Sequence, residues 1–180
     1  GVENTCKKRF EWQLGKLPFG YDHKYIYSHI GFNMKITDMQ AACGLGQLNK
    51  LEQFIEKRKK NVIFLKNELK ELENEILLPE AEKNSDPSWF GFPITIKSNS
   101  TFKRKDLINH LTNNKIGTRL LFGGNLTKQP AYLNKKFRIG SELKNTDLIM
   151  SNTFWVGIQP AIGEEELNFI AKSIKQFFLK

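Results

Sequence analysis

Apolar residues recur every three or four positions from Met39 onward: Met39, Ala42, Leu45, Leu48, Leu51 and Ile55, then Val62, Leu65, Leu69 and Leu72. That spacing predicts one amphipathic helix from Ile36 to about Leu72 with a continuous apolar stripe. Thr37 followed by Gln40 is a capping-box pattern, and Asp38 sits where the helix dipole favours negative charge. Ala41, Ala42, Gly44 and Gly46 are small enough to admit another backbone against the helix. Two glycines there, each costing about 1 kcal/mol relative to alanine, call for such a packing reason.

Upstream, residues 1–35 have little periodicity and many aromatic rings. Leu17-Pro18-Phe19-Gly20-Tyr21-Asp22 reads as a turn, and Asp22 to His29 as a short strand. Downstream, Leu77-Leu78-Pro79-Glu80 ends helical structure and Glu82 to Ser88 is a polar loop. Trp89 to Ile96 is a strand that Pro93 assigns to an edge or a bulge. A helix from Lys103 to about Asn114 turns Leu107, Ile108 and Leu111 inward. Ile116–Leu121 is a short strand, and Gly123-Gly124 marks a tight loop or a close backbone approach. Thr127–Tyr132 is one helical turn, and Asn145-Thr146-Asp147 offers a cap for a helix through Met150. Thr153–Ile158 is a strand. The last helix starts near Gly163 with Glu164, Glu165 and Glu166 and carries lysines 172, 175 and 180 toward its end. The pattern predicts an α/β fold, with a small antiparallel or mixed sheet on one side of helices.

Composition narrows the picture. The 180 residues are 39% hydrophobic, and no apolar run is long enough to span a bilayer. The polar start, without Met or a following apolar block, points to a processed or truncated chain. Two cysteines thirty-seven positions apart do not make a disulfide scaffold, which suits a reducing cytoplasm. The net charge of +9 brings polyanions into consideration, but Lys and Arg are spread along the chain and mixed with Glu. The densest cluster, Glu56-Lys57-Arg58-Lys59-Lys60, reads as a solvated helix face. A phosphate-bearing small molecule or an acidic protein also suits such a surface.

Candidate chemistry is sparse. Cys6 lies among Lys7, Lys8 and Arg9, cations that favour a thiolate; the plainer reading is a surface cysteine. Cys43 lies among Ala and Gly on the apolar helix and reads as a core residue. His23, His29 and His110 lack metal-ligand spacing; His110 reads as structural, while His29 borders the Gly31-Phe32-Asn33 loop, where a phosphate contact is open. Arg119, beside Gly123-Gly124, is either an anion clamp or an ordinary surface arginine. No Gly-rich phosphate loop or nucleophile elbow is present.

Gly31-Phe32-Asn33, Lys35, Thr37-Asp38-Met39-Gln40-Ala41-Ala42 and Gln47-Leu48 resemble the sugar aminotransferase superfamily of fold type I vitamin B6 enzymes. Asn4-Thr5-Cys6-Lys7-Lys8-Arg9-Phe10, the phrase from Gly20 to His29, Ser88–Pro93 and Thr153–Gly157 resemble its CDP-4-keto-6-deoxyglucose 3-dehydrase branch, in lipopolysaccharide dideoxysugar synthesis. The resemblance implies residues 1–35 as the end of a large cofactor-binding domain with a dimer loop, 36–75 as a linking helix, and 76–180 as a small α/β domain. It also implies pyridoxamine phosphate or PLP, a two-iron two-sulfur cluster, a CDP-sugar substrate, a flavin/iron–sulfur reductase and a cytoplasmic homodimer, with neither nucleic acid nor membrane as partner. By match, Cys6 is a cluster ligand, Asn33, His29 and Lys35 border the cofactor, and Arg119 and Arg138 line the sugar-nucleotide side. The catalytic histidine falls upstream of Gly1, so the 180-residue piece alone is expected to be inactive. The rival readings are a PLP-dependent nucleotide-sugar aminotransferase, a nucleic-acid-binding module and a non-catalytic structural remnant.

Overall fold

The computed structural model describes residues 10–13, 15–22, 30–32 and 34–179. Two compact units are present, Gly1–Leu45 and Gly46–Lys180. In the first, Tyr21 N–H donates to the Pro18 carbonyl at 3.1 Å and closes the expected turn. Gly20, at φ +76°, occupies its left-handed corner, and a Cβ there would lie 3.0 Å from the Phe10 carbonyl oxygen. The strand expected over Asp22 to His29 falls almost wholly outside the described residues.

Thr37 caps the helix as its spacing predicts. Gln40 N–H donates to Thr37 Oγ1 at 3.3 Å, and Thr37 N–H donates to Gln40 Oε1 at 2.9 Å. The predicted long helix, however, is two helices. Helix α1 is Asp38–Leu48 and α2 is Leu51–Leu69, followed by a 3₁₀ turn at Lys70–Leu72. Between them, Lys50 N–H bonds three residues back to Gln47 at 2.9 Å, so the four-residue ladder tightens at Asn49-Lys50 and restarts.

No side chain of α1 is buried: Met39 is 79% exposed and Leu45 70%. Cys43, expected in a core, is exposed. Nothing lies within 4 Å of a Cβ built on Gly44 or Gly46, so the close-packed backbone expected against these residues is not among those described. The apolar stripe finds its core only in α2, through Val62, Leu65 and Leu69.

The second unit is a two-layer α/β structure. Its sheet has the order β1-β2-β4-β3 and is antiparallel throughout, with β1 Ile76–Leu77, β2 Gly91–Ile96, β3 Thr118–Leu120 and β4 Thr153–Gly157. Helices α3 (Arg104–Asn113), α4 (Lys144–Asn152) and α5 (Glu164–Phe178) complete it. Phe92, Ile94, Phe154 and Val156 turn to the core shared with α2, α3 and α5, where Leu107, Leu111, Ile170 and Ile174 meet them. Because strand side chains alternate, Gly91, Pro93, Thr95, Trp155 and Gly157 turn the other way.

Local departures have local causes. Leu77, expected with Leu78-Pro79-Glu80 to end helical structure, lies instead in edge strand β1 with Ile76. This strand pairs with only Thr95 and Ile96, so Pro93 sits in an interior strand at a point where one flank has no ladder to feed. Helix α4 begins at Lys144 with Leu143 at its N-cap and no side-chain cap, so Asn145-Thr146-Asp147 lies inside its first turn, where Asp147 accepts from Asn125. The basic cluster is not wholly solvated: Lys59 pairs with Asp86 at 2.6 Å, and Arg58 reaches the backbone of Trp89 and Phe90. At α5, Glu166 accepts from Gly163 N–H at 2.9 Å, and Lys175 bridges to Glu68 and Glu71 next to α2. His110 is placed structurally, its Nε2 2.9 Å from the Ser173 carbonyl.

Candidate functional site

Cys6, His29 and Asn33 lie outside the described residues, so their surroundings are not part of the geometry. Lys35 is exposed, two residues before the cap of α1. Arg138 is exposed in the loop before α4, and no described contact brings it to Arg119. Arg119 has a more definite setting. It stands on β3 directly opposite Trp155, which puts both on the sheet face turned away from the core. Its Nη1 donates to the Thr118 carbonyl at 3.1 Å, and the residue is exposed.

Around Trp155 lies a pocket of about 160 Å³ lined by Trp89, Phe90, Gly91, Pro93, Leu121, Phe122 and Trp155. Phe90 and Trp155 meet edge-to-face with centroids 5.1 Å apart. Gly91 permits this packing: a Cβ there would lie 2.4 Å from the indole Cε3. Trp155 Nε1 is buried with no hydrogen-bond acceptor among the described residues. An unmet buried donor costs about 1–3 kcal/mol.

Two supports hold the pocket's rims. Arg58 Nη1 donates to the carbonyls of Trp89 at 3.1 Å and Phe90 at 3.2 Å, tying that rim to α2. The other rim is the loop after β3, where Phe122 has φ +49° and Gly124 φ +59°. For a phenylalanine this conformation is costly, and the loop is accordingly braced. Asn125, 2% exposed, accepts at Oδ1 from Thr127 N–H (3.1 Å) and Thr127 Oγ1 (2.7 Å) and donates from Nδ2 to Asp147 at 2.7 Å. Lys128 pairs with Asp147 at 2.8 Å, and Gln129 Nε2 donates to the Gly123 carbonyl at 2.9 Å. The Lys128 hydrogen bond and then that of Asn125 lower the Asp147 pKa below its ordinary 3.8. The close approach expected at Gly123-Gly124 occurs at Gly124, where a Cβ would fall 2.6 Å from Met150 Cγ. Arg104 holds Met150 from behind, donating to its carbonyl at 2.6 Å.

Sequence reasoning reached Arg119 and the Gly-Gly loop but missed Trp155, Arg58 and Asn125. One signal was available: the glycine in Trp89-Phe90-Gly91-Phe92, inside a strand of large side chains, marks a place where a ring lies over the backbone. The pairing with Trp155, sixty-odd residues away, carries no local signature.

Among the described residues, no three His, Cys, Asp or Glu side chains are placed to hold a metal ion. No helix among them is long and apolar enough to cross a membrane.

The chain is 55% identical over 178 residues to the lipopolysaccharide biosynthesis protein RfbH of Salmonella typhimurium, covering 99% of this chain and 41% of that one. It is 48% identical over 180 residues to the dTDP-4-dehydro-2,6-dideoxy-D-glucose 3-dehydratase of Saccharopolyspora spinosa, covering 100% of this chain and 39% of the relative. Among solved structures, an E. coli GDP-4-keto-6-deoxy-D-mannose-3-dehydratase with bound hydrated PLP superposes with a TM-score of 0.76 at 25% identity, over 84% of this chain and 38% of that one. The chain thus spans about two-fifths of the length of these curated relatives. The model of the DegT/DnrJ/EryC1/StrS aminotransferase family matches residues 13–175, and the chain belongs to that family.

Proposed function

We propose that the chain is the C-terminal part of a nucleotide-sugar 3-dehydrase that removes the C3 hydroxyl of CDP-4-keto-6-deoxyglucose. The observation that carries this reading is the 48% identity, across all 180 residues, to a relative described as a 3-dehydratase. Identity to the dTDP-4-amino-4,6-dideoxy-D-glucose transaminase of Shigella dysenteriae is 29% over 161 residues, which makes amino transfer the second reading. The basic chain and the exposed Arg119 suit a diphosphate-bearing substrate.

In this reading the parts follow the sequence boundaries: residues 1–35 close a large domain, 36–75 link, and 76–180 form the small domain. The exposed apolar face of α1 is then covered by the rest of the protein or by a second copy of it. Pyridoxamine phosphate, when bound, supplies the electron-withdrawing ring that lets the sugar hydroxyl leave. Asn33, His29 and Lys35 border its phosphate, and Arg119 and Arg138 orient the nucleotide. The described residues do not themselves enclose a metal site. By the resemblance of Asn4-Thr5-Cys6-Lys7-Lys8-Arg9-Phe10, Cys6 is one ligand to a two-iron two-sulfur cluster, its cationic neighbours favouring the thiolate. A flavin/iron–sulfur reductase is the electron donor, and the cytoplasm the compartment.

The test is product analysis with the full-length protein, supplied with CDP-4-keto-6-deoxyglucose, pyridoxamine phosphate and a reductant. Loss of the C3 oxygen without glutamate supports the dehydrase. A glutamate-dependent amino sugar as the only product replaces it with the aminotransferase.

A further inference from the structure

We propose that the aromatic pocket on the Trp155 face of the sheet receives the nucleobase of the nucleotide sugar, with Arg119 beside it for the diphosphate. This rests on the nucleotide-sugar reading above and names the part of that substrate which these residues would hold.

Three features of the pocket fit a flat heteroaromatic ring. Its void of about 160 Å³ has walls from Trp89, Phe90, Phe122 and Trp155, a lining that recognises π faces instead of charge. Phe90 is 67% and Phe122 76% exposed, so two large rings stand open at the rims instead of filling a core. Both rims are held in place, one by Arg58 and the other by the braced loop from Phe122 to Gln129.

Charge selects among flat ligands. Arg119 is the cross-strand neighbour of Trp155 on the same face, and its fork of donors matches phosphate oxygens. A base stacked in the pocket and a phosphate on Arg119 are the two ends of one nucleotide. An apolar segment from the remainder of the protein would also fill the void, but it would leave the arginine without an anion. That occupant is an outcome of the test.

The test uses the ¹⁵N-labelled 180-residue chain and follows the three Trp indole N–H signals, assigning Trp155 through Trp155→Phe. The titrants are CMP, cytidine without phosphate, and ribose 5-phosphate without base, each to millimolar concentration. The Trp155 signal is expected to move with CMP and cytidine and to stay still with ribose 5-phosphate. Phe122→Ala, at an exposed rim position, should weaken both base-containing ligands about tenfold, as loss of one stacking ring does. Arg119→Gln should weaken CMP severalfold and leave cytidine unchanged.

A Trp155 signal indifferent to CMP, or moved equally by ribose 5-phosphate, overturns the proposal and leaves the pocket to a protein segment. Elimination by the full-length enzyme together with an unmoved Trp155 signal removes the pocket alone. A base-dependent shift in a protein that transfers an amino group instead keeps the pocket and removes the dehydrase.

Discussion

Gly91→Ala tests the packing that shapes the aromatic pocket. A methyl group at this position would stand 2.4 Å from Cε3, 2.9 Å from Cδ2 and 3.1 Å from Cζ3 of Trp155. Those atoms belong to a rigid bicyclic ring, so no single flexible end can yield. Either the indole swings outward, losing its edge-to-face contact with Phe90, or β2 and β4 separate at the Gly91–Gly157 pair. Overpacking of this kind costs about 1–3 kcal/mol, and the partial exposure of Trp155 places the estimate near 2 kcal/mol. For a unit of this size that corresponds to a fall in melting temperature of roughly 5–10 °C. The measurement is urea unfolding followed by tryptophan fluorescence, with near-UV circular dichroism reporting the indole environment. Gly117→Ala is the control, since nothing lies within 4 Å of its added carbon, and it should stay within about 0.5 kcal/mol of the parent or stabilise slightly. Equal stability of the two variants, with an unchanged aromatic spectrum in Gly91→Ala, would refute the placement of Trp155 over Gly91.

Other outcomes follow from the loop and from the reach of the chain. Asn125→Ala removes a buried amide that satisfies Thr127 and Asp147, and should cost about 2 kcal/mol by urea unfolding, with faster proteolysis between residues 121 and 129. Asp147 has a folded pKa below its ordinary 3.8, so its contribution is complete above that value and is lost as pH falls through the lower folded one. Asp147→Asn should therefore flatten the acid limb of a stability–pH curve below about pH 5 and leave its slope at neutral pH unchanged. Lys175 runs the other way: its bonds to Glu68 and Glu71 raise its pKa above 10.5, so stability is present below that and lost on further alkalinisation, a limb that Lys175→Gln should remove. The 180-residue chain alone should release no dehydrated sugar from CDP-4-keto-6-deoxyglucose; product detected by mass spectrometry would show that the chemistry is contained within it.

What was legible in the sequence, and what was not, divides by the range of the interaction that decides it. The Thr37–Gln40 cap, the Pro18–Tyr21 turn and the acidic start of α5 are settled within a few residues, and each occurs where its residues put it. The strands expected at Trp89–Ile96 and Thr153–Ile158 contain β2 and β4, and Leu107 and Leu111, expected inward on α3, are buried. Pro93 was misassigned because its tolerance depends on how far β1 extends alongside, a fact fixed by pairing and not by its neighbours in sequence. The same holds for Arg58, whose partners are some thirty positions away on another element. At Asn125, nothing in the neighbouring sequence signals burial, yet its amide is the buried node on which the loop closes.

The α1 segment carries the larger physical lesson. A repeat of Met39, Ala42, Leu45 and Leu48 gives this helix one apolar face, of the kind that packs against apolar matter in a folded protein. With Met39 and Leu45 exposed and Cys43 in solvent, burial cannot be what these described residues provide for that face. On the function proposed above, that face is covered by the rest of a longer protein or by another copy of it. Joining the 180 residues to that remainder should bury Cys43, so its reaction with a thiol reagent should slow by more than tenfold in the full-length protein. An equal rate in the two would mean that α1 is exposed by design and that its periodicity answers to something other than packing.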